Sequence, residues 1–179
     1  MILALHSHLE GVRAEGANTI VYELDADRAH LAPAAADGAA LVWRIAEDGG
    51  SGALLSAEVT LDPATPWLMR CDRVDFEPGG VAYRHTHPGP GIRYLLFGEI
   101  TIETPQGRRT YHPGEPWFEL GPEPVLATTS ASEPSAFARV LLLPAQFAGQ
   151  RTIRYVDPQD AEKRKTQRAR ILLEVQVQR

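Results

Sequence analysis

Hydrophobic and polar residues alternate with a period of two along much of this chain, which is the pattern of half-buried β-strands. The clearest example surrounds Ile100 and Ile102, which alternate with polar neighbours. The turn residues 104–107, Thr-Pro-Gln-Gly, come next and lead into a second strand-like stretch over residues 108–111. We therefore predict a β-hairpin at this point of the chain.

Other segments of the chain have the same strand-like character. They cover residues 19–24, 40–45, 53–61, 67–76, 81–87, 92–97, 117–120, 125–129, 137–143 and 173–178. The Gly-rich residues 47–52 predict a second hairpin between the strands on either side of them. Asp157 followed by Pro158 is a helix-start signal. The pattern predicts an all-β fold with a short helix near the C-terminus.

Glycine and proline strengthen the all-β interpretation. The chain of 179 residues contains 15 Gly and 14 Pro, and residues 78–124 hold eight of each. Helices of ordinary length do not fit between chain-breakers so close together, whereas short strands do. The length and the lack of an internal repeat predict one domain over residues 1–179.

Charge and cysteine content exclude several classes of function. The net charge of −5 argues against a nucleic-acid partner, and we expect the basic cluster at 163–170 to be a solvated surface segment. The N-terminus lacks the basic region of a signal peptide, and no apolar run is long enough to span a membrane. A single cysteine, Cys71, is compatible with a cytoplasmic protein.

A histidine pair is the main candidate for chemistry. His85 and His87 are spaced by two on a predicted strand, so both rings project from one face together with Tyr83. Two imidazoles on one face can chelate a divalent ion. His6 and His8 have the same spacing, but their context favours an ordinary surface position.

The residues around this pair resemble the first motif of the cupin family, G-x5-H-x-H-x3-4-E-x6-G. Five residues separate Gly79 from His85, three separate His87 from position 91, and six separate position 91 from Gly98. Every spacing of the motif is therefore present in this chain.

The turn that opens the second cupin motif is similar to Pro113-Gly114-Glu115. The resemblance covers about residues 75–130. It implies a single-domain cupin jelly-roll β-barrel with a small-molecule site in the mouth of the barrel. Cupin-like sheets commonly pair, so the resemblance also implies a homodimer.

The resemblance implies a divalent metal held by two His and a Glu of the first motif and a His of the second. His85 and His87 occupy two of these positions, whereas Gly91 and Val125 stand at the other two. Glu119 is the candidate third ligand for Fe, Mn, Ni or Zn. The alternatives for Glu119 are an exterior position or a partner for Arg93.

Arg93 lies two positions after the missing Glu and is predicted to face into the barrel, where its planar guanidinium suits a carboxylate or phosphate. Tyr83 and Trp117 are further candidate substrate-binding residues, with packing of the barrel as the alternative. Two functions that use the cavity remain open, beside a structural or interaction role with a vestigial barrel. One is a metal-dependent enzyme acting on a small anionic organic substrate through His85 and His87. The other is a binding or sensor protein that holds a small organic anion without a metal or turnover.

Overall fold

The computed structural model describes residues 1–178, and most of them lie in β-strands. The strands are Ile2–His8 (β1), Val12–Ala14 (β2), Thr19–Glu23 (β3), Arg28–Leu31 (β4), Ala34–Ala36 (β5), Ala40–Ala46 (β6), Leu55–Glu58 (β7), Trp67–Phe76 (β8), Val81–Thr86 (β9), Gly91–Phe97 (β10), Ile100–Thr104 (β11), Gly107–Tyr111 (β12), Pro116–Glu119 (β13), Val125–Thr129 (β14), Ser135–Pro144 (β15), Arg154–Tyr155 (β16) and Gln167–Gln176 (β17). Short turns of 3₁₀ helix lie at Ala145–Phe147 and Pro158–Ala161. Among residues 1–178 no helix is long and apolar enough to cross a membrane.

Two five-stranded sheets form the C-terminal part of the molecule. The central sheet has the order β13-β10-β15-β8-β17, and the distal sheet has the order β12-β11-β14-β9-β16. The two sheets enclose a cavity, which side chains of both sheets line. The predicted hairpin is β11 and β12, paired from Ile100 opposite Tyr111 to Thr104 opposite Gly107. This is the all-β arrangement that the cupin resemblance implies.

A third five-stranded sheet, which we call the N-terminal sheet, has the order β4-β3-β6-β1-β7. Its apolar side chains share one hydrophobic core with the face of the central sheet that lies away from the cavity. Trp43 of β6 is fully buried there, and its indole nitrogen donates a hydrogen bond of 3.2 Å to the Ile92 carbonyl of β10. The small two-stranded sheet formed by β2 and β5 covers part of the opposite face of the N-terminal sheet.

The central sheet therefore has two buried faces, which explains the composition of its long strands β8 and β15. On β15, Ala138, Val140 and Leu142 face the N-terminal sheet. The alternate residues Phe137 and Arg139 line the cavity. Strands buried on both faces have near-continuous apolar sequences, as residues 137–143 do.

Three expectations from the sequence need correction. The strands flanking residues 47–52 do not form a hairpin, because β1 lies between β6 and β7 and pairs with both. Among the described residues no sheet closes on itself, so the jelly roll consists of facing open sheets rather than a closed barrel. The expected short helix is a single 3₁₀ turn, Pro158–Ala161, in which Asp157 accepts a hydrogen bond from the Gln159 amide.

Replacing Trp43 by Ala should lower the free energy of unfolding by about 3–5 kcal/mol, because it removes a large buried side chain between two sheets. Trp43→Phe should cost less, since it keeps a buried ring and loses the hydrogen bond to Ile92. Urea unfolding followed by circular dichroism measures both changes. Leu9→Ala, at a side chain that is 80% exposed, is the control. Equal stability of Trp43→Ala and the control would contradict the shared core.

Candidate functional site

The cavity between the central and distal sheets has a volume of about 450 Å³. Its apolar lining consists of Val74, Phe76, Ala82, Ile102, Val125, Ala127, Phe137, Ile153, Ala169 and Ile171. Its polar lining includes Arg70, Asp72, His85, His87, Glu119, Arg139, Lys165 and Gln167, together with residues 149–152 of the loop after β15. A volume of this size suits a small organic molecule.

His85 and His87 both line the cavity at the C-terminal end of β9, as the sequence predicts. Their rings pack edge to face with centroids 4.9 Å apart. His85 Nδ1 lies 2.7 Å from the Tyr83 carbonyl oxygen, which can only accept a hydrogen bond, so this nitrogen carries the proton. The unprotonated Nε2 of His85 is therefore a hydrogen-bond acceptor.

Both histidines are held in the neutral form. Burial lowers the pKa of His85, and the charge of Glu119 only partly opposes that effect. Burial also lowers the pKa of His87 well below its ordinary value, and the guanidinium groups of Arg139 and Arg93 lower it further. The site therefore presents two uncharged imidazoles at neutral pH.

A buried ion pair lies beside the histidines. Arg139 of β15 donates two hydrogen bonds to Asp72 Oδ2 of β8, at 3.0 Å and 2.8 Å, and the two residues are register partners. Arg139 Nη1 also lies 3.4 Å from His87 Nε2. Sequence reasoning missed both charged residues. The available signal was a single charge at Arg139 within the apolar segment 137–143, and charged residues are rarely buried without a partner.

Glu119 also lines the cavity, but Arg93 and Trp117 already bind its carboxylate. Its Oε2 is 2.6 Å from Arg93 Nη2, and its Oε1 accepts a hydrogen bond of 2.8 Å from the Trp117 indole. Of the three interpretations of Glu119, the structure supports the partner of Arg93. Trp117 itself packs in the hydrophobic core against Phe137 and Tyr111.

Arg93 faces inward as predicted, but it does not reach the space that a ligand would occupy. Its side chain is fully buried, it donates a hydrogen bond of 2.6 Å to the Gly91 carbonyl, and it is absent from the described lining of the cavity. Burial lowers its pKa to about 10, an effect that the charge of Glu119 opposes. The guanidinium that lines the cavity belongs to Arg139.

Tyr83 lies outside the cavity, contrary to the prediction from alternation. The β9–β14 register shifts between the pairs Ala82–Ala127 and His85–Val125, so three residue steps on β9 correspond to two on β14. This β-bulge places Ala82 on the same face as the histidines and turns Tyr83 away. The ammonium group of Lys163 lies over the Tyr83 ring, 4.4 Å from its centroid.

The residues around the histidines do not fit a divalent cation. Among residues 1–178, no three His, Cys, Asp or Glu side chains are grouped so that they could hold a metal ion. Both carboxylate oxygens of Glu119 have partners, and a guanidinium approaches His87 Nε2. A positive charge at that position repels a cation. The predicted metal site of His85, His87 and Glu119 is therefore not formed by this donor set.

Neighbouring atoms leave no room for a side chain at Gly91, the position where the motif has a metal-binding glutamate. A Cβ atom at this position would lie 2.4 Å from the Val140 carbonyl oxygen and 2.7 Å from Leu141 Cδ2. In the sheet, Gly91 pairs with Leu141 on one side and with Glu119 on the other. The close packing of β10 against β15 thus requires glycine where the cupin motif has glutamate.

No protein-family model matches this chain. No curated protein matches it either. Among solved structures, the polyketide cyclase RemF of Streptomyces resistomycificus is similar with 21% sequence identity and a TM-score of 0.41, over 54% of this chain and 64% of the cyclase.

Two further solved structures are cupin domains. A Cupin 2 conserved barrel domain protein of Salinispora arenicola has 16% identity and a TM-score of 0.39, over 45% of this chain and 67% of its own. A cupin domain of Bordetella pertussis has 18% identity and a TM-score of 0.37, over 42% and 81% respectively. Likenesses at this level assign neither a family nor an activity to the chain. The all-β class predicted from the sequence is confirmed by the strands of the structure itself.

The buried histidines should make the stability depend on pH. Below about pH 6.5 the unfolded chain binds protons on these imidazoles while the folded protein does not, so unfolding takes up protons. Above that pH, protonation of these histidines should not reduce the free energy of unfolding. This free energy should fall by up to about 1.4 kcal/mol per pH unit for each histidine as the pH drops below that value.

Urea unfolding between pH 5 and pH 8 measures this slope. The double variant His85→Asn/His87→Asn should have a flatter profile than the unaltered protein. His112→Asn, which replaces an exposed histidine in the turn after β12, is the control and should keep the slope. Identical profiles for the double variant and the unaltered protein would show that the two imidazoles are not held neutral.

Restoring the motif at Gly91 should not create a metal site. Gly91→Ala should reduce the free energy of unfolding by about 1–3 kcal/mol, because its Cβ meets the backbone of β15. Gly91→Glu should cost at least as much. Gly38→Ala is the matched control, since its Cβ would meet only the end of the Asp25 side chain at 3.3 Å. A folded Gly91→Glu protein carrying one equivalent of transition metal by mass spectrometry would contradict this expectation.

Proposed function

We propose that this protein binds a small organic acid in the cavity between the central and distal sheets, with the acidic group beside His85, His87 and Arg139. The supporting observation is that two neutral imidazoles lie next to a guanidinium in a cavity of about 450 Å³. We call the part of the cavity lined by these three side chains its polar end. The guanidinium is a charge-assisted donor, and His85 Nε2 is an acceptor for a protonated acid or a hydroxyl group.

The balance of charge favours one acidic group rather than several. Asp72 compensates Arg139, Glu119 compensates Arg93 and Glu174 compensates Arg70, so these three ion pairs add no net charge to the polar end. A ligand with a single carboxylate adds one negative charge beside the Arg139 guanidinium. A polyphosphate or a tricarboxylate would bring several negative charges close to the carboxylates of Asp72 and Glu119, which like-charge repulsion disfavours.

The proposal assigns no role to a resident metal. The donor atoms that the cupin motif supplies are reduced to the two histidines, and the Arg139 guanidinium stands where a cation would approach His87 Nε2. Of the two functions that use the cavity, this arrangement favours a metal-free small-molecule protein. The predicted homodimer and the predicted cytoplasmic location remain predictions.

Proton transfer is a second candidate function, favoured by the hydrogen bond between His85 and the Tyr83 carbonyl. That bond fixes the ring orientation and leaves Nε2 as the basic nitrogen, the arrangement of an oriented general base. With a carbonyl compound bound, His85 would accept a proton from the carbon beside the carbonyl group. Arg139 would stabilise the negative oxygen of the resulting enolate. The protonated His85 would then return the proton to the enolate, which gives the product.

Thermal-shift measurement with a panel of carboxylic acids tests the binding proposal. At least one acid should raise the melting temperature, with the size of the shift set by its concentration relative to Kd. Chelator treatment should not remove the effect. The double variant Asp72→Asn/Arg139→Gln replaces the buried ion pair by a neutral pair of similar shape, and it should weaken binding by roughly tenfold or more.

The matched control for this experiment is Arg108→Gln, which removes an exposed arginine from the edge strand β12. It should bind the same acid as the unaltered protein does. The proposal is wrong if no acid stabilises the protein. It is also wrong if the double variant, shown to be folded by its circular dichroism spectrum, binds with unchanged affinity.

A further inference from the structure

The apolar end of the cavity contains a structural feature that bears on the shape of the ligand. Phe76 and Phe137 of the central sheet form one wall, with ring centroids 6.0 Å apart and planes inclined at 40°. Trp117 packs edge to face on Phe137 at 5.3 Å and supports that ring from within the core. These rings are almost completely buried, so the wall is rigid and aromatic.

Two of the three alanines in the apolar lining belong to the distal sheet, and the third, Ala169, lies on β17 of the central sheet. Ala82 of β9 and Ala127 of β14 are direct register partners, and both line the cavity. Their neighbours in the lining on the same sheet, Ile102 and Val125, are larger and branched. The bulge in β9 brings Ala82 to this face, so the alanine pair and the histidines depend on the same irregularity.

The volume of the cavity indicates how large a ligand body the two sheets can surround. A cavity of roughly 150 Å³ is enough to hold benzene. The present cavity of about 450 Å³ is about three times larger, and the acidic group at the polar end takes up part of it. The remainder accommodates a body of about two fused rings, whereas a single ring would leave apolar surface without contacts.

We infer that the ligand is an aromatic carboxylic acid with a fused two-ring body, and that Ala82 and Ala127 are the residues that admit the second ring. This inference rests on the proposed function and adds the ligand class. A planar body fits between the methyl groups of the alanines and the phenyl wall. Ring-on-ring contacts with Phe76 and Phe137 add affinity beyond the apolar area that is buried.

Calorimetric titration with three acids tests the ligand class. Naphthalene carboxylate should bind roughly tenfold more tightly than benzoate, which has one ring. It should also bind more tightly than a straight-chain carboxylate with the same number of non-hydrogen atoms, which matches its size but not its shape. If the straight-chain acid or benzoate binds as tightly as naphthalene carboxylate, the ligand class is wrong and the proposed function stands. If none of the three acids binds while another acid of the thermal-shift panel does, the ligand class is wrong; if no acid of either set binds, the proposed function itself fails.

Substitutions at the alanine pair test the assigned residues. Ala127→Leu and Ala82→Leu should each weaken the binding of naphthalene carboxylate roughly tenfold or more, and should change benzoate binding less. Thr128→Leu adds a similar bulk next to Ala127 on the other face of β14 and should leave both affinities unchanged. Retained benzoate binding and a cooperative thermal transition show that a variant is folded. Ala127→Val serves if both leucine variants fail to fold. Unchanged naphthalene carboxylate binding in a folded variant overturns the inference.

Discussion

Every charged group on the cavity side of the central sheet must be compensated, because both faces of that sheet are buried. The N-terminal sheet covers one face, and the distal sheet and the cavity cover the other. An uncompensated charge at such a position would cost several kcal/mol. The structure meets this requirement with three ion pairs, Arg139 with Asp72, Arg93 with Glu119 and Arg70 with Glu174.

These ion pairs determine the chemical character of the site. Glu119 is occupied by Arg93 and the Trp117 indole, so its carboxylate is not free to act as a metal ligand. The guanidinium of Arg139 approaches His87 and, together with burial, keeps that imidazole neutral. The positions at which the sequence resemblance implies a metal site instead form a hydrogen-bonding polar end whose charges are compensated. The rest of the lining contains ten apolar side chains beside polar residues such as Lys165 and Gln167, which suits a ligand with one acidic group and a largely hydrophobic body.

The N-terminal sheet has a role that composition did not predict. Its strands β1 and β6 place Leu3, Leu5 and Trp43 against the central sheet, so β8 and β15 are buried on both faces. The residues of this region belong to ordinary strands, but their pairing is non-local, since β1 pairs with both β6 and β7. Turn residues between two strands favour a hairpin only when no third strand competes for the same edges.

The sequence by itself determined the all-β class, the hairpin at residues 100–111 and the placement of His85 and His87 on one face of a strand. These features depend on local alternation, on turn chemistry and on the spacing of the cupin motif. Only the tertiary structure decided which charges meet across strands and that Tyr83 turns outward at a bulge. It also decided that Gly91 has no room for a side chain. Those outcomes depend on strand register and on the distance between neighbouring strands. Both are set by contacts between segments that are far apart in the chain, so neither can be inferred from a local stretch of sequence.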